Sequence, residues 1–511
     1  MDTDPEAPLV KDVLTLMDLG SSVAEHDELL GRYFIETATF RSVIEGRVDV
    51  VAGDKGTGKT ALFRILKERY TEYDELRDVE VVAAFNPVGT PVFQRLLETD
   101  ELSEDQYIGV WKAYFCALAG NWLLAFSEGY YTDTLNELDQ MLTDVGLRSA
   151  DDSPQTIFSQ LVNRLKSLLR LKSIEQTMTF DQATGMPVLA TTKFVIGDSD
   201  HGAEEVVKSV RHDDALRLLN AALAESDIKL WLVMDRLDEA FQGRPAQERP
   251  ALRALLRTYL DMLEFTQVRL KLFVRRDLFA RVVEGGFVNL THINARRVDI
   301  VWEEDDLYNL LMQRIRESAR FMNLFGDKDL PSNDIFARLF PNQVDQGARK
   351  PKTWTWMLSR IRDGNGVHPP RNLIDLILKS KEAQLRIEER TPRRVEPSEP
   401  VLTSDSLKRG LKSLSAERVQ GTLLAEAGDY ADLVERFRNG KAEFDYASLR
   451  SVLIEDFDES LKLLRTIGFL EASGPNYKVP MLYRAGLSIT QGKASQSESD
   501  PSSPGSTDDE E

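Results

Sequence analysis

The chain has 511 residues, which at roughly 150 residues per domain suggests about three domains. Apolar residues make up 42% and charged residues 29%, so collagen-like, low-complexity and wholly disordered chains are excluded. With 84 acids against 64 bases the net charge is −20, which argues against holding DNA or an anionic membrane through overall charge.

Residues 1–30 read as a polar, acidic N-terminal segment, and the opening MDTDPEAPLVKD has no apolar core of the kind a secretory signal needs. Leu29, Leu30, Tyr33, Phe34, Phe40 and Ile44 then recur at three- and four-residue spacings, which predicts one entry helix. Arg47 to Ala52 reads as a short buried strand ending at Gly53. A helix beginning near Lys59 carries Leu62, Ile65 and Leu66 on one face, and Val79 to Phe85 reads as a second strand. Strand, helix, strand is the signature of a parallel α/β sheet.

From about 95 to 200 the pattern is that of an insertion. Its first part is helical and apolar around Trp111, Phe115, Trp122 and Phe126, and residues 174–196 predict a β-hairpin turning at Asp181 to Gly185. The longest apolar run, Ala113 to Phe126, holds 14 residues with Asn121 inside, short of the ~20 that span a bilayer, so no membrane partner is expected. Cys116 lies in that run as the single cysteine. It excludes an intramolecular disulfide and a cysteine-based zinc cluster, and it suits a reducing cytoplasm. The five histidines are scattered, with no pair at metal-ligand spacing.

The sheet resumes at Lys229 to Met234 and Val268 to Val274, and helices dominate 301–390. Residues 391–400, inside a run with three prolines and many charges, read as a linker. Residues 401–493 form the next unit. Within it one helix is predicted around Tyr446, Leu449 and Val452, a second around Leu461 to Leu470, then a turn at Ser473 to Asn476 and an extended run from Tyr477 to Tyr483. That order resembles a winged helix. The tail 494–511 has six acids and no base and should be disordered.

Gly53, Asp54, Lys55, Gly56, Thr57, Gly58, Lys59 and Thr60 match the phosphate-loop pattern GxxxxGK[ST] at every fixed position, between a strand and a helix as the motif requires. Glycines let backbone amides turn inward around the phosphates of ATP, and the helix N-terminus adds its partial positive charge. Lys59 would bridge the phosphates and the Thr60 hydroxyl would ligate Mg²⁺. The metal also needs a carboxylate from the end of a neighbouring buried strand, and five apolar residues running into Asp235 supply it. A lone Asp after a strand is otherwise a helix cap.

The pairing of GDKGTGKT with WLVMDRLDEAF resembles P-loop ATPases of the additional-strand division, near the AAA+ origin-recognition-type and STAND groups. AEHDELLGRYFIETATF, LFVRRDLF, VWEEDDL and VHPPRNLI are similar to a little-characterised family of bacterial P-loop ATPases, with an implied setting in mobile elements or phage conflict. In the AAA+ group a Glu, and in the STAND group an Asp, usually follows the metal-binding Asp. This chain has Arg236 there, so the water-activating role passes to Asp238 or, slightly behind it, Glu239. The resemblance places a γ-phosphate sensor at Arg275 or Arg276, and another at Arg371, whose helix start is fixed by Pro369 and Pro370. A surface ion pair is the competing reading of each arginine.

The expectation is therefore an α/β protein. It comprises a P-loop core over 31–300, a helical lid over 301–390 and a C-terminal winged-helix-like domain, acting as an ATP- and Mg²⁺-dependent conformational switch that hydrolyses slowly. A DNA-engaging ATPase and a scaffold that binds ATP without hydrolysing it are the alternatives. Between 443 and 487 seven acids face five bases, so the C-terminal domain is expected to meet protein, another copy of the chain included, rather than DNA.

Overall fold

The computed structural model describes residues 7–85, 102–127, 132–149, 154, 156–157, 211–239, 245–325, 329–424, 431–454 and 456–490, together with the backbone of 177–180 and 187–191. The chain divides into two bodies. One is Val23–Val301; the other joins Met1–Ser22 to Trp302–Glu511.

The first body is built on a parallel sheet of five strands. In chain order these are β1 (Val50–Gly53), followed by helix α1 (Lys59–Arg69), then β2 (Val79–Phe85), and after helices α2 (Glu104–Phe126) and α3 (His212–Glu225), β3 (Lys229–Met234). Helix α4 (Pro245–Met262) leads to β4 (Val268–Arg275), helix α5 (Arg276–Val283) and β5 (Arg297–Asp299). The spatial order is β2-β3-β4-β1-β5, so β4 lies between the strand that enters the glycine loop and the strand that ends at Asp235. The carboxylate strand is thus next but one to β1. That corrects the expectation of adjacent strands.

Two boundaries move from their expected places. The single entry helix breaks into Leu30–Tyr33 and Ala38–Ile44, because the Thr37 hydroxyl accepts a hydrogen bond from the Phe40 amide and restarts the helix. Strand β1 starts at Val50 instead of Arg47, because the amides of Arg47 and Val48 close back on the Ser42 carbonyl at 3.1 and 3.2 Å.

The apolar run expected to be an insertion becomes α2, the centre of this body's core. Trp111, Tyr114, Phe115 and Leu118 are fully buried against the sheet and α4. Asn121 is the polar exception inside it. Its amide donates to the carbonyls of Ala117 (2.7 Å) and Leu147 (2.8 Å) and its oxygen accepts from the Ser149 amide, so its burial leaves no bond unmade. The expected hairpin is present as antiparallel strands Thr177–Phe180 and Pro187–Thr191, while its turn at Asp181 to Gly185 lies outside the described residues.

At the N-terminal edge of the sheet the Lys271 ammonium donates to Asp49 (2.8 Å) and to the Val48 carbonyl (2.6 Å), and lies over the Trp231 ring. Arg296 and Tyr259 complete the ring of donors around Asp49. Burial pushes Lys271 down to about 8. Burial alone would raise Asp49, but Arg296 and Lys271 outweigh it and hold the carboxylate below its usual range.

In the second body a helix at Val10–Leu16 buries Val10, Val13 and Leu14, so part of the N-terminal segment read as polar contributes an apolar face. Helices α6 (Thr353–Ile361), α7 (Pro370–Glu388) and α8 (Ser404–Arg418) follow. Residues 391–400 do not form a free linker. The Arg393 carbonyl accepts from the Val10 amide and the Val395 amide donates to Pro8, both at 2.9 Å, while Arg393 pairs with the buried Glu388. Arg394, Glu396 and Glu399 of this segment stay exposed, and Leu373 and Leu376 of α7 share one core with Leu407 and Leu414 of α8 and with Phe469.

The last elements are β6 (Glu443–Phe444), α9 (Tyr446–Val452), α10 (Phe457–Thr466), β7 (Glu471–Ser473) and β8 (Asn476–Lys478). The three strands form an antiparallel sheet ordered β6-β8-β7. The extended run expected to reach Tyr483 stops early, because Pro480 precedes a helical turn at Met481–Arg484. The tail 494–511 lies outside the described residues. Among the described residues no helix is long and apolar enough to cross a membrane.

Candidate functional site

The register of the sheet gathers the chemistry. Gly53 pairs with Arg275 across β1 and β4, Ala52 with Asp299 across β1 and β5, and Met234 with Leu272 across β3 and β4. The C-terminal ends of four parallel strands therefore bring Gly53, Asp235, Arg275 and Asp299 to one edge, where open parallel sheets place ligands.

The loop Gly53 to Lys59 is shaped by its glycines. Gly56 and Gly58 have φ of 79° and 101°, a left-handed backbone that side-chain-bearing residues resist. A Cβ on Gly53 would lie 2.5 Å from Thr57 Oγ1. Thr57 is buried and its hydroxyl donates to the Asp54 carbonyl at 2.8 Å, closing the turn. Lys55 lies exposed at its tip. Helix α1 begins at Lys59 with no side-chain cap, so its first-turn amides face the loop as anion donors. Lys59 Nζ donates to the carbonyls of Gly53 (2.9 Å) and Asp54 (3.0 Å). Burial lowers its pKa, opposed by Asp235 and Asp238.

Asp235 is buried at the end of β3. It accepts hydrogen bonds from the Thr60 hydroxyl and the Arg236 amide, and burial nevertheless pushes its carboxyl up to about 6. Its Oδ2 is buried with no hydrogen-bond partner among the described residues. A hydroxyl and a carboxylate already in contact, with one carboxylate oxygen left over, are hard oxygen donors of the kind Mg²⁺ takes.

Charged side chains surround this centre in pairs. Arg236, at φ 59°, donates from Nε to Glu239 at 2.6 Å. Burial raises the Glu239 carboxyl, partly offset by Arg236 and reinforced by Asp238 and Glu25. Arg275 forms a two-pronged bond with Asp277, both contacts at 3.0 Å, and reaches Asp238 at 3.4 Å. Arg275 holds the N-cap position of α5, and Asp277 lies in its first turn. Burial would raise Asp277, yet Arg275 holds it low. Arg276 bridges Asp54 of the loop (3.2 Å) and Asp299 of β5 (3.5 Å). Burial raises the Asp54 carboxyl against Arg276 and Lys59.

The structure thus brings together the loop, Asp235, Asp238, Glu239, Arg275 and Arg276. Arg371 belongs to the other body, at the second position of α7. Sequence reading missed Asp299 and the pairing role of Asp54, because only the β1-β5 register carries Asp299 to the loop.

In comparisons by sequence, no protein-family profile and no characterised protein matches the chain. By structure it is similar to the Aeropyrum pernix ORC2 protein in ADPNP-ADP complexes, at 12% identity and TM-score 0.38, covering 88% of this chain and 91% of that one. A Walker-type ATPase of Pyrococcus abyssi aligns at 12% identity and TM-score 0.40, over 93% of this chain and 100% of the other. The Aeropyrum pernix ORC1 protein in complex with DNA aligns at 12% and 0.37, over 92% and 96%. These likenesses are slight, and the functional reading rests on the site's own geometry.

Proposed function

We propose that the chain binds ATP with Mg²⁺ at Gly53 to Thr60 and hydrolyses it slowly, using nucleotide state to set its conformation. The observation that carries the reading is the single cluster formed by the left-handed glycine loop, the Lys59 ammonium, and Thr60 in contact with Asp235, whose second oxygen is buried and unpartnered. The loop amides and Lys59 hold the phosphates, and Thr60 with Asp235 holds the metal, which when bound supplies charge neutralisation between the phosphate oxygens. Asp238 or Glu239 orients and deprotonates the attacking water. Arg275 or Arg276, at the end of β4 beside the loop, reads the terminal phosphate. Phosphate release by the purified chain, with and without duplex DNA, tests the enzymatic part; no release despite ATP binding contradicts it.

One observation favours a second reading, a scaffold that binds ATP without turnover. Both candidate bases are already ion-paired, Glu239 with Arg236 and Asp238 with Arg275. The C-terminal module, with two helices followed by a strand pair, supports a winged-helix-like reading. Asp456, Asp458 and Glu459 open α10 and would bring carboxylates toward a phosphate backbone. Protein contact, including self-association, is therefore preferred to DNA.

A further inference from the structure

The glycine loop carries a carboxylate at its second position, Asp54, beside amides that attract anions. A half-buried charge of that sign needs a cation against it. Arg276 supplies one: its Nη1 lies 3.2 Å from Asp54 Oδ2, and its Nε lies 3.5 Å from the carboxylate of Asp299. Asp54 Oδ2 and Arg276 Nε are buried and have no hydrogen-bond partner among the described residues, so both depend on these ionic contacts.

The bridge belongs to a frame that reaches the Lys59 ammonium. Gly53 pairs with Arg275 on one side of β1 and Ala52 with Asp299 on the other, so Arg276, next in the chain, reaches past the root of the loop to β5. Asp299 is held in turn by Arg297, at 2.6 and 3.1 Å, and Arg297 lies over the Phe279 ring of α5 at 4.3 Å. The Ile300 amide donates to the Ala52 carbonyl at 2.7 Å, and a Cβ on Gly53 would lie 3.3 Å from the Ile300 side chain. Held by its side chain, Asp54 works through its backbone. Its carbonyl accepts from the Thr57 hydroxyl (2.8 Å) and from Lys59 Nζ (3.0 Å), so the bridge fixes the oxygen that aims Lys59. Arg275 is placed differently. It reaches Asp238 at 3.4 Å, and Lys59 feels the charges of Asp235, Asp238 and Arg275 together.

We propose that Arg276 is a positioning residue, which braces the loop through Asp54 and Asp299 so that Lys59 and the loop amides meet the phosphates common to ATP and ADP. Of the two arginines, Arg275 then reads the terminal phosphate. The inference rests on the reading that the loop binds ATP. A displaced loop loses contacts that both nucleotides make, whereas a lost terminal-phosphate contact affects ATP alone.

The test is titration calorimetry on the full chain with Mg²⁺ and either a slowly hydrolysed ATP analogue or ADP. Asp54→Asn should weaken both nucleotides by the same factor, roughly threefold to tenfold. By charge alone, removing a carboxylate from an anion site would tighten them. Arg276→Gln should weaken both in the same way, and Arg276→Lys should recover part of the loss. Asp54→Asn combined with Arg276→Gln should lose no more than Arg276→Gln, because one bridge is broken only once. Arg275→Gln should weaken the ATP analogue and leave ADP unchanged. Should Arg276→Gln not fold, the isosteric Asp54→Asn decides. Unchanged or tighter binding in Asp54→Asn overturns the brace, and so does a loss in Arg276→Gln confined to the ATP analogue, which makes Arg276 the reader. An equal loss of both nucleotides in Arg275→Gln overturns its assignment as reader. Failure of the wild type to bind either nucleotide removes the reading of the loop itself, and the brace with it.

Discussion

Asp235, Arg236, Asp238 and Glu239 lie within five consecutive positions and meet different fates. Asp235 is buried beside Thr60, Arg236 turns through a left-handed backbone, and its guanidinium takes Glu239, while Asp238 faces Arg275. Conversion of each candidate base to its amide separates them. Loss of the water-activating carboxylate should slow phosphate release by about a hundredfold or more, whereas the other substitution should leave it within a few fold. Full activity in both Asp238→Asn and Glu239→Gln contradicts a general base in this segment. The loop and Asp235 were legible because their chemistry is local, a glycine pattern and an apolar run ending in a carboxylate. The partners of Arg276 were not, since Asp54 and Asp299 come to it from positions far apart in the sequence.

At the scale of elements, strands and helices were legible from periodicity, and their neighbours were not. Nothing in Val268 to Arg275 marks it as the strand inserted between β1 and β3, because spatial order is decided by packing between segments. Lys271 shows the same limit. It reads as a charge interrupting an apolar strand, and only the fold supplies Asp49, 222 residues away in sequence, as its buried partner. A buried pair is costly to break from one side, since the remaining charge is left uncompensated. Asp49→Ala should therefore destabilise the chain by about 3–5 kcal/mol, measured by denaturant unfolding followed through the tryptophans. A loss below about 1 kcal/mol would show that Lys271 and Arg296 find other partners.

For the whole molecule, the division into two bodies was only half legible. The core was expected to end at 300, and the division falls between Val301 and Trp302; residues 391–400, expected as a linker, are tied by backbone bonds to Pro8 and Val10 and by the pair of Arg393 with Glu388. Stability in acid should carry the signature of His212. Burial, with help from Lys112, lowers its pKa from 6.5 to about 4. The unfolded chain then binds a proton that the folded chain refuses between these values, so stability falls as pH drops from about 6.5 toward 4, by up to ~1.4 kcal/mol per unit. Unfolding of wild type and His212→Gln across that range checks it, the variant losing this slope. Charge also bears on partners. Duplex DNA titrated into the full chain at low and moderate salt should show no micromolar binding, and tight binding with a steep salt slope would promote the DNA-engaging alternative.

The central claim is that the glycine loop holds the phosphates of ATP. Calorimetric titration of ATP with Mg²⁺ into wild type and Lys59→Ala tests it most directly. A saturable, Mg²⁺-dependent isotherm is predicted for wild type, and a loss on the order of 2–5 kcal/mol for the variant, as expected when a buried phosphate–ammonium contact is removed. Equal affinity in the two proteins, or no binding to wild type, would contradict the account.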